Sequence, residues 1–340
     1  MKMLERGSAM ASIREVAKLA GVSPATVSRV MNGTARVDPE KMERVQQAIE
    51  ETGFVPNEVA RSLFKKSAKM IGLIIPSIRN PFFTQMASYI DEAAHKRGYR
   101  VFLCEVGSGD LEREKAALQL LSSMNADGVI LASTNDDIQP FVEQYRLPVV
   151  ALDARIGAEN ANAYICCDDY MGGRMAAEYL LERGCRNMVC IKGSQTIQSA
   201  RARYEGYRDV CRERNLPERT VECDYDFDMG LAMTEQLLQT YPDVDGIIAC
   251  NDIVAISTYK ILHKRKIAVP EQIQLIGFDN IHLASLMSPE LTTISQPIRE
   301  MADKAVELMI DKTNNEKKGE RFVFPVTVCE RETTKQESGT

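Results

Sequence analysis

Residues 13–31 read IREVAKLAGVSPATVSRVM and decide the fold of the first part of the chain. Apolar residues recur there at helical spacing and predict one buried helix face: Ile13, Val16, Ala17 and Ala20. Gly21 then ends the helix, because a residue without Cβ readily adopts the left-handed conformation. The pattern predicts a short amphipathic helix that stops at a tight turn.

A second helix follows this turn directly. Ser23 is a suitable N-cap, and Pro24 is well tolerated at the first helical position because its missing amide hydrogen would have no partner there. Val27, Val30 and Met31 are predicted to face inward. The outward side chains are small or polar: Pro24, Ala25, Thr26, Ser28 and Arg29. Short hydroxyls, methyl groups and a guanidinium suit close contact with base edges and phosphates, so the stretch predicts a DNA-reading helix-turn-helix, with an ordinary helical bundle as the alternative.

A third helix is predicted from Asp38 to Thr52, with Met42, Val45, Ala48 and Ile49 facing inward. The segment 55–63 then contains a proline stop, Asn57 as a cap and barely two helical turns. A helix this short is marginal alone, because nucleation costs more free energy than so few hydrogen bonds return. We expect it to fold only against a partner, such as a twin helix on DNA.

Residues 12–63 resemble the headpiece and hinge of the lactose-repressor (LacI/GalR) family of bacterial transcription regulators. The motifs REVAKLAGVSPATVSRVMNG and PNEVARSL carry the resemblance. It implies that Leu63 is an apolar wedge inserted between base pairs in the minor groove, with a plain linker leucine as the alternative. The predicted DNA contacts are Ser23, Pro24, Ala25, Thr26, Ser28, Arg29, Asn32, Asn57, Ala60 and Leu63.

The charge distribution agrees with one DNA-binding end. Residues 1–69 carry 12 Lys and Arg against 8 Asp and Glu, whereas the remainder carries 30 against 40. A basic end on an acidic body confines the electrostatic contact with phosphates to that end. The asymmetry is a weak signal alone, since many proteins carry charged patches.

Composition excludes several other classes of protein. The 340 residues are 44% hydrophobic, yet no apolar run approaches the twenty residues of a membrane span. The N-terminus lacks the apolar core of a signal peptide, and residues 1–9 are expected to be a disordered extension. Nine cysteines without a C-x-x-C pair predict reduced thiols in the cytoplasm, with neither a disulfide scaffold nor a metal site. No cofactor is expected.

From Met70 onward, apolar strands alternate with amphipathic helices. MIGLIIP, RVFLC, GVILA and PVVAL read as buried strands. The pattern restarts after Cys166 with the strands NMVCIK, GIIAC and QLIGF, and FVFPVTV is predicted as a late strand that returns to the first lobe. The alternation predicts an α/β core of two doubly wound parallel-sheet lobes, as in periplasmic sugar-binding proteins. The predicted parts of the chain are a headpiece at 10–56, a hinge helix and linker at 57–69, and a core at 70–334. Within the core, the first lobe comprises about 70–166 and 297–327, and the second about 167–296 and 328–334.

Aromatic and polar residues lie at the ends of the predicted strands. Ligands of such sheets bind at the carboxyl ends of strands, so these residues should line one cleft. Aromatic faces suit the apolar faces of a sugar ring, while carboxylate, guanidinium and amide groups suit its hydroxyls. Each residue also has a structural alternative: Phe83 in the core, Arg203 in a surface ion pair, Asp252 as a helix cap. The predicted effector contacts are Phe82, Phe83, Asp153, Ser199, Arg203, Tyr225, Asn251, Asp279 and Gln296.

The same positions resemble the pocket of ribose-type binding proteins and of pentose and sucrose repressors. The resemblance implies that Phe82 and Phe83 stack on the ring and that Tyr225 packs against it. One departure concerns the residue after Asp153, which is arginine in the ribose-type pattern and Ala154 here. The resemblance implies a neutral sugar, and this departure argues against ribose itself.

The sequence contains no phosphate-binding loop, nucleophile elbow or metal-ligand spacing, so we expect a non-enzymatic regulator. The predicted protein is a homodimer on a pseudo-palindromic operator, released or retained according to a bound sugar. The tail 331–340 has no leucine heptad, which leaves a tetramer unsupported. The alternative is a catabolite-type regulator that binds a phosphorylated carrier protein, for which Arg97, Arg100 and Arg113 offer a basic surface.

Overall fold

The computed structural model describes residues 11–32, 37–54, 67–132, 136–145, 147–153, 161, 163–311 and 319–336. The chain divides into two compact units, Met1–Ala68 and Lys69–Thr340. The predicted extension 1–9 and the hinge contacts Asn57, Ala60 and Leu63 lie outside the described residues, as does the side chain of Asn32. No helix within the described ranges has both the length and the apolar character needed to cross a bilayer.

Three helices lie in the described residues of the first unit: α1 (Ile13–Ala20), α2 (Pro24–Asn32) and α3 (Pro39–Thr52). A capping box between Ser12 and Glu15 begins α1, and Gly21 ends it in the left-handed conformation at φ 62°. The core of the unit consists of Val16, Ala17, Ala20, Val27, Val45 and Ala48. The prediction that Met42 faces inward is wrong, because the buried face of α3 begins one turn later and leaves Met42 39% exposed.

The second unit contains two sheets. The sheet of the first lobe has the order β11-β5-β4-β3-β1-β2, and all of its strands are parallel. Its strands are β1 (Met70–Ile75), β2 (Arg100–Glu105), β3 (Gly128–Leu131), β4 (Val149–Leu152), β5 (Ala163–Cys167) and β11 (Glu320–Phe324).

The sheet of the second lobe has the order β12-β10-β9-β8-β6-β7, with β12 antiparallel to β10 and the other pairs parallel. Its strands are β6 (Met188–Lys192), β7 (Thr220–Glu222), β8 (Gly246–Ala249), β9 (Gln274–Asp279), β10 (Thr292–Ser295) and β12 (Thr327–Cys329).

Helices follow most strands of both lobes and begin at side-chain caps where the sequence supplies Asn or Asp. Asn80, Asp110, Asp168, Asp226 and Asn251 each accept a backbone N–H of the following first turn. The helices are α4 (Pro81–Lys96), α5 (Leu111–Ser123), α6 (Gln139–Tyr145), α7 (Asp169–Glu182), α8 (Gln198–Glu213), α9 (Phe227–Thr240), α10 (Asp252–Lys264) and α11 (Ile298–Ile310).

The strand pattern differs from the sequence prediction in two respects. FVFPVTV, predicted as one strand, forms β11 and β12 in different sheets, because Pro325 between them cannot donate a ladder hydrogen bond. Strands β5, β7 and β10 were not predicted. The first is AYICC, whose five residues are all buried and therefore show no alternation. The other two are short, at three and four residues.

Two glycines let α7 and α8 pack at backbone contact. A Cβ on Gly173 would lie 1.9 Å from the carbonyl oxygen of Arg203, and one on Gly206 would lie 2.2 Å from that of Tyr170. Real Cβ atoms do not approach backbone so closely, so any larger residue must push the helices apart. The glycines therefore determine where α8 places its polar side chains.

We predict that Gly173→Ala destabilises the core by about 3 kcal/mol, since overpacking against backbone cannot relax by a side-chain movement. The higher helix propensity of alanine returns at most about 1 kcal/mol and does not reverse the sign. Denaturant unfolding measures the change. Met171→Ala, at a position 42% exposed on the same helix, is the control and should change stability little. Equal stability of Gly173→Ala and the wild type would contradict the close packing.

Candidate effector pocket and candidate nucleic-acid interface

In the first unit, α2 presents the outward side chains that the sequence predicted. Ser23 Oγ accepts the N–H of Thr26 at 3.2 Å and so begins the helix. Ser23, Pro24, Ala25 and Arg29 are exposed, and Thr26 and Ser28 are partly exposed. The second helix of the motif therefore offers hydroxyls, methyl groups and a guanidinium along one face, which suits the major groove.

In the second unit, Arg203 of α8 is the centre of a cluster of buried charges. Its Nε donates to Asp169 Oδ1 at 2.7 Å, and its Nη1 donates to the carbonyl oxygen of Cys250 at 3.0 Å. Its Nη1 also lies 3.7 Å from Asp279 Oδ1, and the guanidinium covers the ring of Phe278 at 3.6 Å from the centroid. The side chain is 11% exposed, so the predicted surface ion pair is wrong as an alternative for Arg203.

Asp279 and Gln296 lie beside this guanidinium at the ends of β9 and β10. Gln296 Nε2 donates to Asp279 Oδ1 at 2.7 Å, and both residues are buried. Asp279 has φ 114°, a left-handed backbone that L-residues rarely adopt. Burial raises the pKa of Asp279 to about 7, although Arg203 and the Gln296 hydrogen bond oppose the change.

Asp153 of the first lobe faces the same cluster from the end of β4. Its backbone is left-handed at φ 50°, and its N–H donates to the carbonyl of Ile165 at 2.8 Å. Burial and the nearby Asp169 carboxylate raise the pKa of Asp153 to about 8, while Arg203 and a hydrogen bond with Ser199 lower it. Ser199 lies in the first turn of α8, so this influence on the pKa of Asp153 comes from the second lobe.

Two buried polar atoms near the cluster have no hydrogen-bond partner among the residues that the structure describes. They are the hydroxyl of Tyr225 and the Nδ2 of Asn251. Asn251 uses its Oδ1 to cap α10, accepting the N–H of Val254 at 2.9 Å, so its amide group is held in place. A buried donor without a partner costs about 1–3 kcal/mol, and a ligand that accepts from it recovers that energy. This pair is the clearest sign of a binding site in the described structure.

Phe82 and Phe83 lie on α4 directly after β1. Their rings meet edge to face, with centroids 5.2 Å apart. Phe82 is 6% exposed within the hydrophobic core, whereas Phe83 is partly exposed and packs against that core. Phe83 therefore has more ring surface to offer a ligand than Phe82.

Sequence reasoning missed Asp169 and the role of Asp252. Asp169 follows β5, and the rule that polar residues gather after strands would have found it had the strand been recognised. Asp252, considered as a helix cap, instead accepts the Ile281 N–H at 2.8 Å and the Thr293 hydroxyl at 2.6 Å. These two hydrogen bonds connect the segment after β9 to β10 and so help to hold the backbone next to Asp279 in place.

A separate open cavity of about 540 Å³ lies between α4 and the segment after β9. Gln85 Oε1 accepts the N–H of His282 there at 3.1 Å, and this hydrogen bond joins the two lobes. The lining residues are Pro81, Thr84, Gln85, Ser88, Tyr89, Asn280, Ile281, His282, Leu283, Ser285 and Arg331. None of the predicted effector contacts is among them.

The charged pocket provides acceptors, donors and a ring face, which together suit a polyhydroxylated ligand. Among the described residues, no group of His, Cys, Asp or Glu has an arrangement that could hold a metal ion. On the basic surface considered for a carrier protein, Arg97 and Arg113 donate to the carbonyls of Ala93 and Glu105. Some of the N–H donors of these two side chains are therefore already hydrogen-bonded within the chain.

The raised pKa of Asp279 predicts a pH-dependent effect of Asp279→Asn. Between pH 4 and pH 7 the folded wild type holds a proton that the unfolded chain releases, so its stability falls as pH rises through this window. The variant lacks that titration. The free energy of unfolding of the variant minus that of the wild type should therefore increase by about 2 kcal/mol from pH 5 to pH 8.

Urea unfolding of both proteins across this range measures the difference. The control is Asp243→Asn, since the Arg219 pair lowers the pKa of exposed Asp243 and moves its titration below the window. A stability difference between Asp279→Asn and the wild type that stays constant with pH would contradict the assignment.

Comparison with known proteins identifies the family. Residues 12–57 match bacterial regulatory proteins of the lacI family, and residues 177–334 match a periplasmic binding protein-like domain. The ribose operon repressor of Halalkalibacterium halodurans is 38% identical over 327 residues, covering 96% of this chain and 98% of the relative. The sucrose operon repressor of Streptococcus mutans is 32% identical, covering 93% and 97%.

Solved structures agree with these matches. A LacI transcriptional regulator from Alkaliphilus metalliredigens complexed with D-xylulofuranose is 37% identical, with a TM-score of 0.70, and covers 79% of this chain and 100% of its own. The transcriptional regulator CelR in complex with cellobiose is 28% identical, with a TM-score of 0.71, covering 95% and 99%. The resemblance found in the sequence is thus confirmed: the chain belongs to the lacI family of bacterial regulatory proteins and is a DNA-binding transcriptional regulator.

Proposed function

We propose that this regulator is a repressor of sugar-utilisation genes whose operator binding is controlled by a small sugar held between the two lobes. The observation that carries the proposal is the pair of unpartnered buried groups, the Tyr225 hydroxyl and the Asn251 amide, beside Arg203 and Asp279. The relatives named as ribose and sucrose operon repressors, and the neighbours solved with D-xylulofuranose and cellobiose, support a sugar.

The proposed DNA contacts come from two segments. In α2, the exposed and partly exposed side chains from Ser23 to Arg29 would reach base edges and phosphates, together with Asn32. In the hinge, Asn57 and Ala60 would follow the minor groove while Leu63 inserts between base pairs. The hinge assignment rests on the PNEVARSL motif of the sequence.

The proposed effector contacts divide by chemistry. Asp153, Asp279 and Gln296 would accept from sugar hydroxyls, and Asn251 and Tyr225 would donate to sugar oxygens. Arg203 and Ser199 would orient the carboxyl groups, and Phe83, backed by Phe82, would cover a face of the ring. The pocket binds its ligand without transforming it, and the protein acts in the cytoplasm, where operator DNA is found.

The proposed mechanism is a population shift in a homodimer. Two headpieces bind a pseudo-palindromic operator, and paired hinge helices bend it. A sugar that favours one relative orientation of the lobes draws the dimer away from the orientation in which the hinge helices meet. Moving the equilibrium from one state to the other requires about 5 kcal/mol of differential affinity, which two pockets share.

A gel-shift titration tests this function. The full chain is incubated with double-stranded fragments from its own promoter region, with and without a panel of monosaccharides and disaccharides. We expect one fragment to be bound and at least one sugar to change its affinity. Failure to bind any fragment, in the presence or absence of sugars, would reject the proposal.

Arg29→Ala should weaken operator binding about 10- to 100-fold, because one phosphate or base contact contributes about 1–3 kcal/mol. Arg14→Ala removes the same charge from an exposed position on α1 and is the matched control, with a smaller expected loss. Titration of a labelled operator at constant salt gives both affinities. Equal losses in the two variants would exclude a specific role for Arg29 and leave only the general charge effect.

Tyr225→Phe should have opposite effects on stability and on sugar binding. The hydroxyl has no partner within the described part of the chain, so its removal should leave the free energy of unfolding unchanged or slightly higher. The affinity for the sugar should fall about tenfold, the equivalent of one hydrogen bond.

The matched control is Tyr207→Phe, which removes a buried hydroxyl that donates to the Arg219 carbonyl at 3.1 Å. It should lower the free energy of unfolding and keep sugar affinity. Calorimetric titration and denaturant unfolding separate the two effects. Undiminished sugar affinity in Tyr225→Phe would remove this residue from the pocket.

A further inference from the structure

We propose that Asp169 makes the pocket selective for uncharged sugars, because it holds the Arg203 guanidinium away from anionic ligands. This inference rests on the sugar-responsive function proposed above and adds the class of sugar. It assigns a specificity-determining role to a residue that the sequence did not reveal and that has no place among the predicted ligand contacts.

The first argument is the hydrogen bonding of Arg203. A guanidinium binds phosphate best through two parallel N–H donors, and it has two edges that can do so. One edge includes Nε, which donates to Asp169 at 2.7 Å, and the other includes Nη1, which donates to the Cys250 carbonyl at 3.0 Å. One N–H donor of each edge is therefore already hydrogen-bonded within the protein. The ring of Phe278 covers one face of the group.

The second argument is the charge of the pocket. Three carboxyl groups, those of Asp153, Asp169 and Asp279, surround Arg203, and electrostatic interactions connect all four groups. Arg321 is directed elsewhere, with its Nη2 3.8 Å from Cys166 Sγ and its guanidinium over the Tyr164 ring. Because Arg203 is paired with Asp169 and the other two carboxyl groups are neutral or negative, the pocket has no net positive charge to balance a phosphate ester or a sugar acid.

The third argument concerns the protonation of these carboxyl groups. Burial raises the pKa of Asp279 to about 7 and that of Asp153 to about 8. Negative charge on these carboxyl groups is therefore already unfavourable in the pocket. An anionic ligand would add to that charge, whereas a sugar hydroxyl adds none. A protonated carboxyl group can in addition donate a hydrogen bond to a sugar oxygen.

The fourth argument is the kind of group that the pocket leaves unpaired. The Tyr225 hydroxyl and the Asn251 amide are neutral and buried, and they match hydroxyl and ether oxygens of a sugar. Neutral donors of this kind do not balance the charge of a phosphate ester taken out of water. The free donors and the committed guanidinium thus favour the same class of ligand.

The test compares each sugar with its own phosphate ester on the full chain. Calorimetric titrations use D-ribose with D-ribose 5-phosphate and D-xylulose with D-xylulose 5-phosphate, and each compound is also added to the operator gel shift. We expect at least one free sugar to bind, with its phosphate ester at least 100-fold weaker. In Asp169→Asn, which keeps an oxygen acceptor but removes the charge, this ratio should fall about tenfold or more.

Asp168→Asn is the matched control, because it makes the same charge change one residue away. Asp168 accepts the Met171 N–H at 3.0 Å as the cap of α7, and asparagine also caps helices well. The ratio should stay at the wild-type value in this variant. Operator binding in the absence of sugar shows that each variant is folded.

Each outcome decides between distinct conclusions. Binding of the phosphate ester as tightly as the free sugar would overturn the inference while leaving a sugar-responsive repressor in place. An unchanged ratio in Asp169→Asn, or an equal fall in Asp168→Asn, would overturn the role of Asp169. If neither member of either pair binds or alters operator affinity, the proposed function fails for these sugars and the inference fails with it.

Discussion

Burial of one guanidinium constrains the whole pocket of the second unit. A charge removed from water must be paired and hydrogen-bonded, or the folded state loses several kcal/mol. Arg203 meets this requirement with partners from three separate places: Asp169 at the start of α7, the Cys250 carbonyl after β8, and Asp279 at the end of β9. Because one planar group must satisfy all three, it fixes their relative positions. The strand ends are thereby organised before any ligand arrives.

The position of Arg203 depends in turn on two residues that have no side chain. Gly173 and Gly206 bring α7 and α8 to backbone contact, and the carbonyl of Arg203 itself lies at the closest approach. A methyl group at either position would displace α8, and the guanidinium would move with it. The geometry of the ion cluster therefore depends on the helix packing. Two glycines in the helices determine where the charged residues at the strand ends can lie.

The sequence was sufficient to predict the fold class, which is confirmed, because alternating strands and amphipathic helices leave a strong pattern. It also placed Arg203, Asp279 and Gln296 in one site, since carboxyl ends of parallel strands meet at the same edge. The roles of these residues stay predictions. Asp169 was missed for a definite reason: the all-buried strand AYICC shows no alternation, so the sequence gives no sign that the residues after it stand at a strand end.

Other features depend on three-dimensional contacts and left no local signal. Nothing in the spacing of NPFF separates Phe82, which is buried in the core, from Phe83, which keeps part of its ring exposed. The same is true of Asp252, whose partners lie 29 and 41 residues away along the chain. Such pairs follow from how loops meet after folding, which a single sequence does not encode at short range.

Contacts between the lobes are part of what a sugar must outweigh to act as a switch. Gln85 Oε1 accepts the His282 N–H at 3.1 Å and joins the two lobes, and Ser199 of the second lobe lowers the pKa of Asp153 in the first. A typical hydrogen bond contributes about 1 kcal/mol, so the Gln85 bond is a small part of the free energy that a sugar must shift. Opening the lobes would also hydrate Asp153, and the burial that raises its pKa would be lost. Lobe closure, proton uptake and ligand binding therefore involve the same few groups. A ligand that adds several hydrogen bonds there can outweigh the contacts it replaces.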